Sequence, residues 1–214
     1  MNEIMVKIEN LRKTFREEEV LKGINCEFQR GKTYAVIGNN GSGKSVLFKC
    51  ICGFLTPTEG KITVDGKQIG KDVDFPESIG LIIEHPGFIP QISGFKNLRL
   101  LAGIRRCVTD EQIKEVIRKV GLDPSSKKAV AKYSMGMKQR LGIAQAIMED
   151  PDLLILDEPF NGLDKKGVEE IRSLLMERKE KGKTILLTSH NSEDITLLAD
   201  HVWEMDAGRM TEVR

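Results

Sequence analysis

The sequence predicts an α/β fold that combines a mainly parallel core sheet with N-terminal antiparallel strands and an inserted helical lobe. Three observations support this prediction. Short apolar runs at 33–37, 153–156 and 184–188 are each followed by a helical pattern, as in parallel sheets covered on both faces. Apolar and polar residues alternate near the N-terminus. From Gly94 to about Glu149 the periodicity is mainly helical.

The first third of the chain reads as strands around one helix. Residues 4–9 and 20–28 alternate like antiparallel strands, and the charged segment 16–19 predicts the turn that joins them. A helix over 45–52 follows the first apolar run. Turn-forming residues close two further predicted strands, at 61–65 and 79–83.

The remaining elements are mostly helices. Thr109 and Gln112 form a possible capping box, and Gly121 ends the helix that follows. Ser134 is a good N-cap for a second helix. Later come helices at 165–181 and near 192–199, and a hairpin around Asp206–Gly208. We expect one domain over 1–214, with 1–83 and 150–214 as the core and about 84–149 as the helical lobe.

The composition predicts an ordinary protein of the cytoplasm. Its 33 Lys and Arg residues against 32 Asp and Glu residues give a formal net charge of +1, which requires no nucleic-acid partner. No apolar run approaches the roughly 20 residues that span a bilayer, and the N-terminus lacks the form of a signal peptide. The four cysteines lack zinc-type spacing, which favours reduced structural thiols over a metal or redox role.

The segment Gly38–Ser45 fits the pattern G-x-x-x-x-G-K-[ST] and lies between a predicted strand and a predicted helix. In such a loop the backbone N–H groups turn toward a phosphate, a conformation that side chains at Gly41 and Gly43 would obstruct. Lys44 then reaches the β- and γ-phosphates, and the Ser45 hydroxyl can ligate Mg²⁺. The alternative is a glycine-rich turn that binds nothing. The predicted nucleotide contacts are Gly38, Asn39, Asn40, Gly41, Ser42, Gly43, Lys44 and Ser45.

Polar residues follow two of the predicted parallel strands at their carboxyl ends, where ligands bind in open α/β sheets. Asp157 and Glu158 come directly after the run at 153–156. Asp157 suits the Mg²⁺ shell, and Glu158 suits polarising the water that attacks the γ-phosphate. His190 lies just past the next strand and can sense the same phosphate. The alternatives are an accidental strand end for the two acids and a surface or packing residue for the histidine.

These motifs and two further segments resemble the nucleotide-binding subunit of an ABC transporter, over essentially the whole chain. Tyr133–Arg140 resembles the ABC signature, and Asn161–Asp164 resembles the D-loop. His190 occupies the place of the switch histidine, and all motifs occur in the family's order. The resemblance implies ATP and Mg²⁺ as ligands and ATP hydrolysis as the activity. It implies Glu158, His190 and Lys44 as catalytic residues and Ser45, Glu84 and Asp157 as metal ligands.

The resemblance also implies partners. ATP lies between the phosphate loop of one subunit and the signature of another, so Ser134, Gly136 and Asp164 become nucleotide contacts in a head-to-tail dimer of two copies or of related chains. The free N–H groups at the helix start after Ser134 agree, since they could meet a γ-phosphate only from a partner chain. The resemblance further implies integral-membrane permease subunits as partners. The chain would then lie on the inner face of the cell membrane, and the segment from Glu84 to Asn97 would contribute to the docking surface.

From its pattern alone, Phe15 is either a core residue or a platform for adenine. The resemblance favours the platform.

Two positions depart from the family pattern, and one of them indicates a subgroup of the family. Met135 replaces a glycine of the signature, and Glu84 stands at the Q-loop position where most members have glutamine. A glutamate there, followed by His-Pro-Gly-Phe, resembles ATPases of bacitracin resistance and lantibiotic immunity, which implies export of an antimicrobial peptide or lipophilic compound. The alternative functions are a soluble ABC ATPase, such as an Fe–S assembly ATPase, and a small-metabolite kinase.

Overall fold

The computed structural model describes residues 3–84 and 86–214. Within them lie ten strands: β1 (Ile4–Phe15), β2 (Glu18–Gln29), β3 (Thr33–Ile37), β4 (Glu59–Val64), β5 (Lys67–Gln68), β6 (Ile79–Ile82), β7 (Leu153–Leu156), β8 (Thr184–Leu187), β9 (His201–Asp206) and β10 (Arg209–Glu212). The α-helices are α1 (Lys44–Ile51), α2 (Gly94–Arg105), α3 (Asp110–Lys119), α4 (Met135–Ile147), α5 (Lys165–Glu180) and α6 (Ser192–Leu198). A short 3₁₀ helix spans Val130–Lys132.

The strands form two sheets. The antiparallel sheet has the order β2-β1-β4-β5, and the larger sheet has the order β10-β9-β3-β8-β7-β6. In the larger sheet, every pairing from β9 to β6 is parallel, and only β10 runs antiparallel at the edge. Leu156 of β7 pairs with both Leu187 of β8 and Ile82 of β6. The carboxyl ends of these three strands therefore lie side by side.

The parallel sheet is buried on both faces because its strands are apolar throughout. One face contributes Ala35, Leu154, Leu156, Ile185 and Leu187 to a core shared with helices α2 to α6. The opposite face contributes Tyr34, Val36, Leu153, Ile155 and Leu186 to a core shared with α1 and the antiparallel sheet. Helix α1 is thus packed between the two sheets, which holds the loop before it at the edge of the parallel sheet.

The predicted fold class is confirmed, with differences at element ends. Strands β1 and β2 extend to Phe15 and from Glu18, so the turn is shorter than the predicted segment 16–19. Cross-strand pairs such as Arg12 with Glu19, 2.6 Å apart, favour this longer hairpin. The two-residue strand β5 was not predicted. The separate core and lobe at the predicted boundaries remain a prediction, since the lobe helices share one hydrophobic cluster with the core sheet.

Both predicted caps are present. Thr109 and Gln112 make the reciprocal bonds of a capping box, and the Ser134 hydroxyl accepts a hydrogen bond from the Met137 N–H at 3.2 Å.

Across the described part of the chain, none of the helices has both the length and the apolar content needed to cross a bilayer.

Candidate nucleotide-binding site

The loop between β3 and α1 is shaped by glycines. Gly38 and Gly43 have φ values of 141° and 109°, in the region that favours glycine. A Cβ atom on Gly38 would overlap the carbonyl oxygen of Met205, and one on Gly43 would lie 2.9 Å from Met205 Cε. Gly41, with a φ of 82°, has open space around it. Crowding within the chain therefore disfavours a side chain at position 43, as expected. At position 41, only the positive φ favours glycine.

Lys44 lies inside this loop with its ammonium group held in place. The side chain is buried, and Nζ donates to the carbonyl oxygens of Gly38 at 2.7 Å and Asn39 at 2.9 Å. These bonds use two of the three N–H donors of an ammonium group. Helix α1 starts at Lys44, and Gly43 provides no side-chain cap for it. The positive end of the helix dipole therefore points into the loop, as an anion site requires.

A chain of hydrogen bonds joins the loop to the strand ends. The Ser45 hydroxyl donates to Asp157 Oδ2 at 2.6 Å, and the Thr188 hydroxyl donates to Asp157 Oδ1 at 2.8 Å. The same Thr188 oxygen accepts a hydrogen bond from the Glu158 N–H at 2.8 Å. The three elements α1, β7 and β8 therefore meet at one buried carboxylate. Thr188 was not predicted as a site residue, although its place at the end of a buried strand was a usable signal.

Glu158 is strained and poorly solvated. Its φ is 51°, an uncommon value for a residue with a side chain. Among the described residues, Oε1 of Glu158 has no hydrogen-bond partner, although His190 Nε2 lies 3.3 Å away. Burial raises the pKa of the Glu158 carboxyl, the nearby His190 opposes that rise, and the Asp157 carboxylate adds to it. A carboxylate with a raised pKa and an open acceptor is suited to take a proton.

The signature helix is tied to the segment that carries Glu158. Gln139 of α4 is buried, and its side-chain amide donates to the carbonyl oxygens of Glu158 at 3.2 Å and Pro159 at 3.0 Å. Gln139 belongs to the predicted signature segment, but its role in holding the strand end depends on tertiary contacts. It links the helical part of the chain directly to the predicted base.

The signature also lies against the D-loop of the same chain. A Cβ atom on Gly136 would come within 2.6 Å of the Gly162 carbonyl oxygen, so the close approach requires glycine at 136. Met135 packs over Gly162, and its side chain remains largely exposed. The methionine that replaces a family glycine is therefore accommodated at the surface.

Glu84 lies at the mouth of the cleft and pairs with a lysine. Its carboxylate Oε1 is 2.5 Å from Lys49 Nζ, and its backbone φ is 60°. Like Ser45 and Asp157, it lines a cleft of about 610 Å³. One hydroxyl and two carboxylates supply the oxygen ligands that Mg²⁺ prefers, so the residues present fit this metal.

Seven predicted contacts do not line this cleft: Gly38, Asn39 and Ser42 within the glycine loop, and Phe15, Ser134, Gly136 and Asp164 outside it. Phe15 ends β1 with its ring exposed and 5.0 Å from Lys13 Nζ, so the core interpretation of Phe15 is wrong. Asp164 caps α5 by accepting a hydrogen bond from the Gly167 N–H at 2.9 Å. Ser134 and Gly136 occupy the start of α4. The cleft is lined instead by Val20, Asn40, Gly41, Gly43, Lys44, Ser45, Val46, Glu84, Pro86, Met135, Lys138, Gln139, Asp157, Glu158, Asn161 and His190.

The glycine loop, the parallel sheet and the buried acid at its edge define a P-loop nucleotide-binding protein. The family profile described as ABC transporter matches residues 21–161, about two thirds of the chain. The chain therefore belongs to the ABC transporter ATP-binding family, and it is an ATPase subunit of that family.

Individual relatives agree with this assignment. The uncharacterized ABC transporter ATP-binding protein YybJ of Bacillus subtilis (strain 168) is 45% identical over 206 residues, covering 96% of this chain and 94% of that protein. The bacitracin transport ATP-binding protein BcrA of Enterococcus faecalis is 40% identical, covering 98% of this chain and 69% of that protein. The structure of cbiO1 from Clostridium perfringens, part of the ABC transporter complex cbiONQ, has a TM-score of 0.82 and 31% identity, covering 98% and 88% of the two chains. These relatives do not favour the non-transport alternative.

Proposed function

We propose that the cleft binds ATP together with Mg²⁺ and that Glu158 is the base of hydrolysis. The observation that carries this proposal is the hydrogen-bonded chain from Ser45 through Asp157 and Thr188 to Glu158. This chain supports the proposal because Ser45, Asp157 and a carboxylate with a raised pKa lie together beside the glycine loop. This is the arrangement that phosphoryl transfer to water needs.

Each side chain then has a distinct role. Lys44 would contact the β- and γ-phosphates, and Ser45, Asp157 and Glu84 would hold the metal, whose charge would offset that of the phosphate oxygens. Glu158 would accept a proton from the attacking water through Oε1, which has no hydrogen-bond partner in the described part of the chain. His190, 3.3 Å from that oxygen, is placed to contact the γ-phosphate.

A second subunit completes the site. Ser134, Gly136 and Asp164 are the proposed nucleotide contacts across a head-to-tail dimer, and their place outside the cleft of their own chain is compatible with that role. The exposed ring of Phe15 serves as the adenine platform. The dimer consists of two copies of this chain or of this chain and a related one.

The Glu158→Gln variant tests the catalytic role. We expect it to abolish steady-state ATP hydrolysis and to produce ATP-dependent dimers in size-exclusion chromatography, because ATP binds but is not cleaved. Glu149→Gln is a matched control, since the Glu149 side chain is 19% exposed and that of Glu158 20%. Glu149 pairs with Arg105 and does not line the cleft, so its variant should hydrolyse ATP normally. Hydrolysis by Glu158→Gln at half the normal rate, or no dimer with ATP, would refute the role.

The transport partner is a separate integral-membrane permease, with the chain peripheral on the inner face of the cell membrane. An exposed apolar groove of about 620 Å³ supports this proposal. It includes Leu100 and Ile104 of α2, which are 57% and 77% exposed, with Lys96 and Arg99 beside them. Ile89, in the predicted docking segment, is also exposed. From the names of BcrA-type relatives, we propose an antimicrobial peptide or lipophilic compound as the exported cargo.

Affinity purification from gently solubilised native membranes tests the partner. Mass spectrometry should find a multi-helix membrane protein in near-stoichiometric amount, and Leu100→Glu together with Ile104→Glu should remove it. Leu197→Glu is the control, because Leu197 is 50% exposed but lies on α6, away from the groove. Recovery of soluble partners alone would overturn the proposal.

A further inference from the structure

The carboxylate at the Q-loop position is already bound by a cation of its own chain. Lys49 Nζ lies 2.5 Å from Glu84 Oε1, and the lysine and glutamate side chains are 29% and 65% exposed. Lys49 belongs to α1, the helix that begins inside the glycine loop. An ion pair between this helix and the end of β6 therefore involves one of the three residues proposed to hold the metal.

The position of Lys49 on α1 matters for the direction in which Glu84 is held. Lys49 follows Ser45 by four residues, so it lies on the same face of the helix about one turn, or roughly 5.4 Å, further from the loop. Ser45 and Glu84 both line the cleft, whereas Lys49 does not. The Glu84 carboxylate is therefore bound by a lysine that lies one helical turn beyond Ser45 and outside the cleft lining.

We propose that Lys49 is a positioning residue that competes with the metal for Glu84. Without nucleotide, the lysine neutralises the charge that a glutamate adds at this position and holds its carboxylate outside the Ser45–Asp157 pair. When ATP and a divalent cation enter, Glu84 passes from the ammonium group to the metal. This inference rests on the proposed role of Glu84 as a metal ligand.

Competition predicts a specific change in nucleotide affinity. The affinity for a fluorescent ATP analogue would be measured by titration in Mg²⁺ and again in EDTA, and the ratio of the two dissociation constants reports the contribution of the metal. Lys49→Met removes the competitor, so Mg²⁺ should strengthen nucleotide binding about threefold to fivefold more in this variant than in the unmodified protein. This is the size of effect that a partly exposed ion pair supports. Lys49→Arg keeps the charge and should leave the ratio near that of the unmodified protein.

The Glu84→Gln variant separates competition from a general charge effect. It should lower the metal contribution, and adding Lys49→Met to it should change the ratio by less than about twofold, because only screened long-range attraction remains. Lys67→Met is the control for loss of a surface lysine, since Lys67 pairs with Glu77 at 2.6 Å outside the cleft. Thermal unfolding of each variant shows whether the fold is retained.

The outcomes separate this inference from the proposal beneath it. If Lys49→Met leaves the ratio unchanged while Glu84→Gln lowers it, the competition is refuted and the metal role of Glu84 stands. If Lys49→Met changes the ratio equally in the unmodified protein and in the Glu84→Gln variant, the competition is also refuted. If Glu84→Gln does not alter the metal contribution but Asp157→Asn does, Glu84 is not a ligand, and both the proposed role and this inference fail.

Discussion

The Thr188 hydroxyl is the contact on which both predicted acids depend. Thr188 is fully buried, donates to the Asp157 carboxylate and accepts from the Glu158 N–H. Thr188→Val keeps nearly the same shape and removes only the hydroxyl. The change therefore isolates two hydrogen bonds at a buried site.

The expected cost follows from the two partners left behind. A hydrogen bond to a charged group contributes about 1.5–3 kcal/mol, and a buried donor left without a partner costs about 1–3 kcal/mol. Thr188→Val should therefore lower the free energy of unfolding by about 2.5–6 kcal/mol, a large part of a typical domain stability of about 5–15 kcal/mol. Thr188→Ser keeps the hydroxyl and loses one methyl group, which costs about 1 kcal/mol.

Urea unfolding followed by the fluorescence of Trp203, the single tryptophan, measures both variants. ATP hydrolysis measured at low urea adds a functional readout, because Thr188→Val also frees the Asp157 carboxylate and the backbone of Glu158. We expect Thr188→Ser to retain most of its activity and Thr188→Val to lose most of it. Equal unfolding free energies for the two variants would refute the structural reasoning.

Three further predictions concern the loop, the base and the thiols. Gly38→Ala should cost about 2–6 kcal/mol in urea unfolding because its Cβ meets the Met205 carbonyl at a positive φ, and Gly41→Ala, with open space, should cost clearly less. The pKa of Glu158 is raised in the folded protein. Ionisation of this carboxyl therefore destabilises the fold at pH values above the raised pKa, and it has no effect on stability below the unfolded pKa near 4.5. Glu158→Gln should accordingly be the more stable protein at about pH 8, with a difference that shrinks as the pH falls toward 4.5; a constant difference would contradict this. Native protein should expose one thiol, Cys107, to a thiol reagent and four after unfolding, because burial raises the pKa of Cys26, Cys50 and Cys52 to about 12, 11 and 12; rapid reaction of a second native thiol would contradict the burial.

Most of the fold could be predicted because its signals are local. The apolar runs of β7 and β8 were found within one residue of their ends, and the caps at Thr109 and Ser134 marked their helices correctly. The errors are of one kind. The longer hairpin of β1 and β2 and the short strand β5 depend on cross-strand pairing, which a period of two along one strand does not report.

The candidate site likewise consists of residues that local motifs predicted and of contacts between elements that they did not predict. Gly38–Ser45, Asp157 and Glu158 were predicted because their motifs combine residue type with a neighbouring strand or helix. The roles of Thr188 and Gln139 and the Lys49–Glu84 pair were not predicted, since each is a contact between elements. The roles proposed for Ser134, Gly136, Asp164 and Phe15 stay predictions, because their partner would be another subunit or a nucleotide.

The sequence by itself determined the element types, the phosphate-binding loop and the acids that follow β7, because spacing within a few residues specifies each of them. Only the tertiary structure decided that Ser45 reaches Asp157 across 112 positions of the chain and that Met205 closes over Gly38. The physical reason is the strand order β3-β8-β7-β6 and its register. This order brings distant strand ends together at one edge, where a few hydrogen bonds turn separate motifs into a single site.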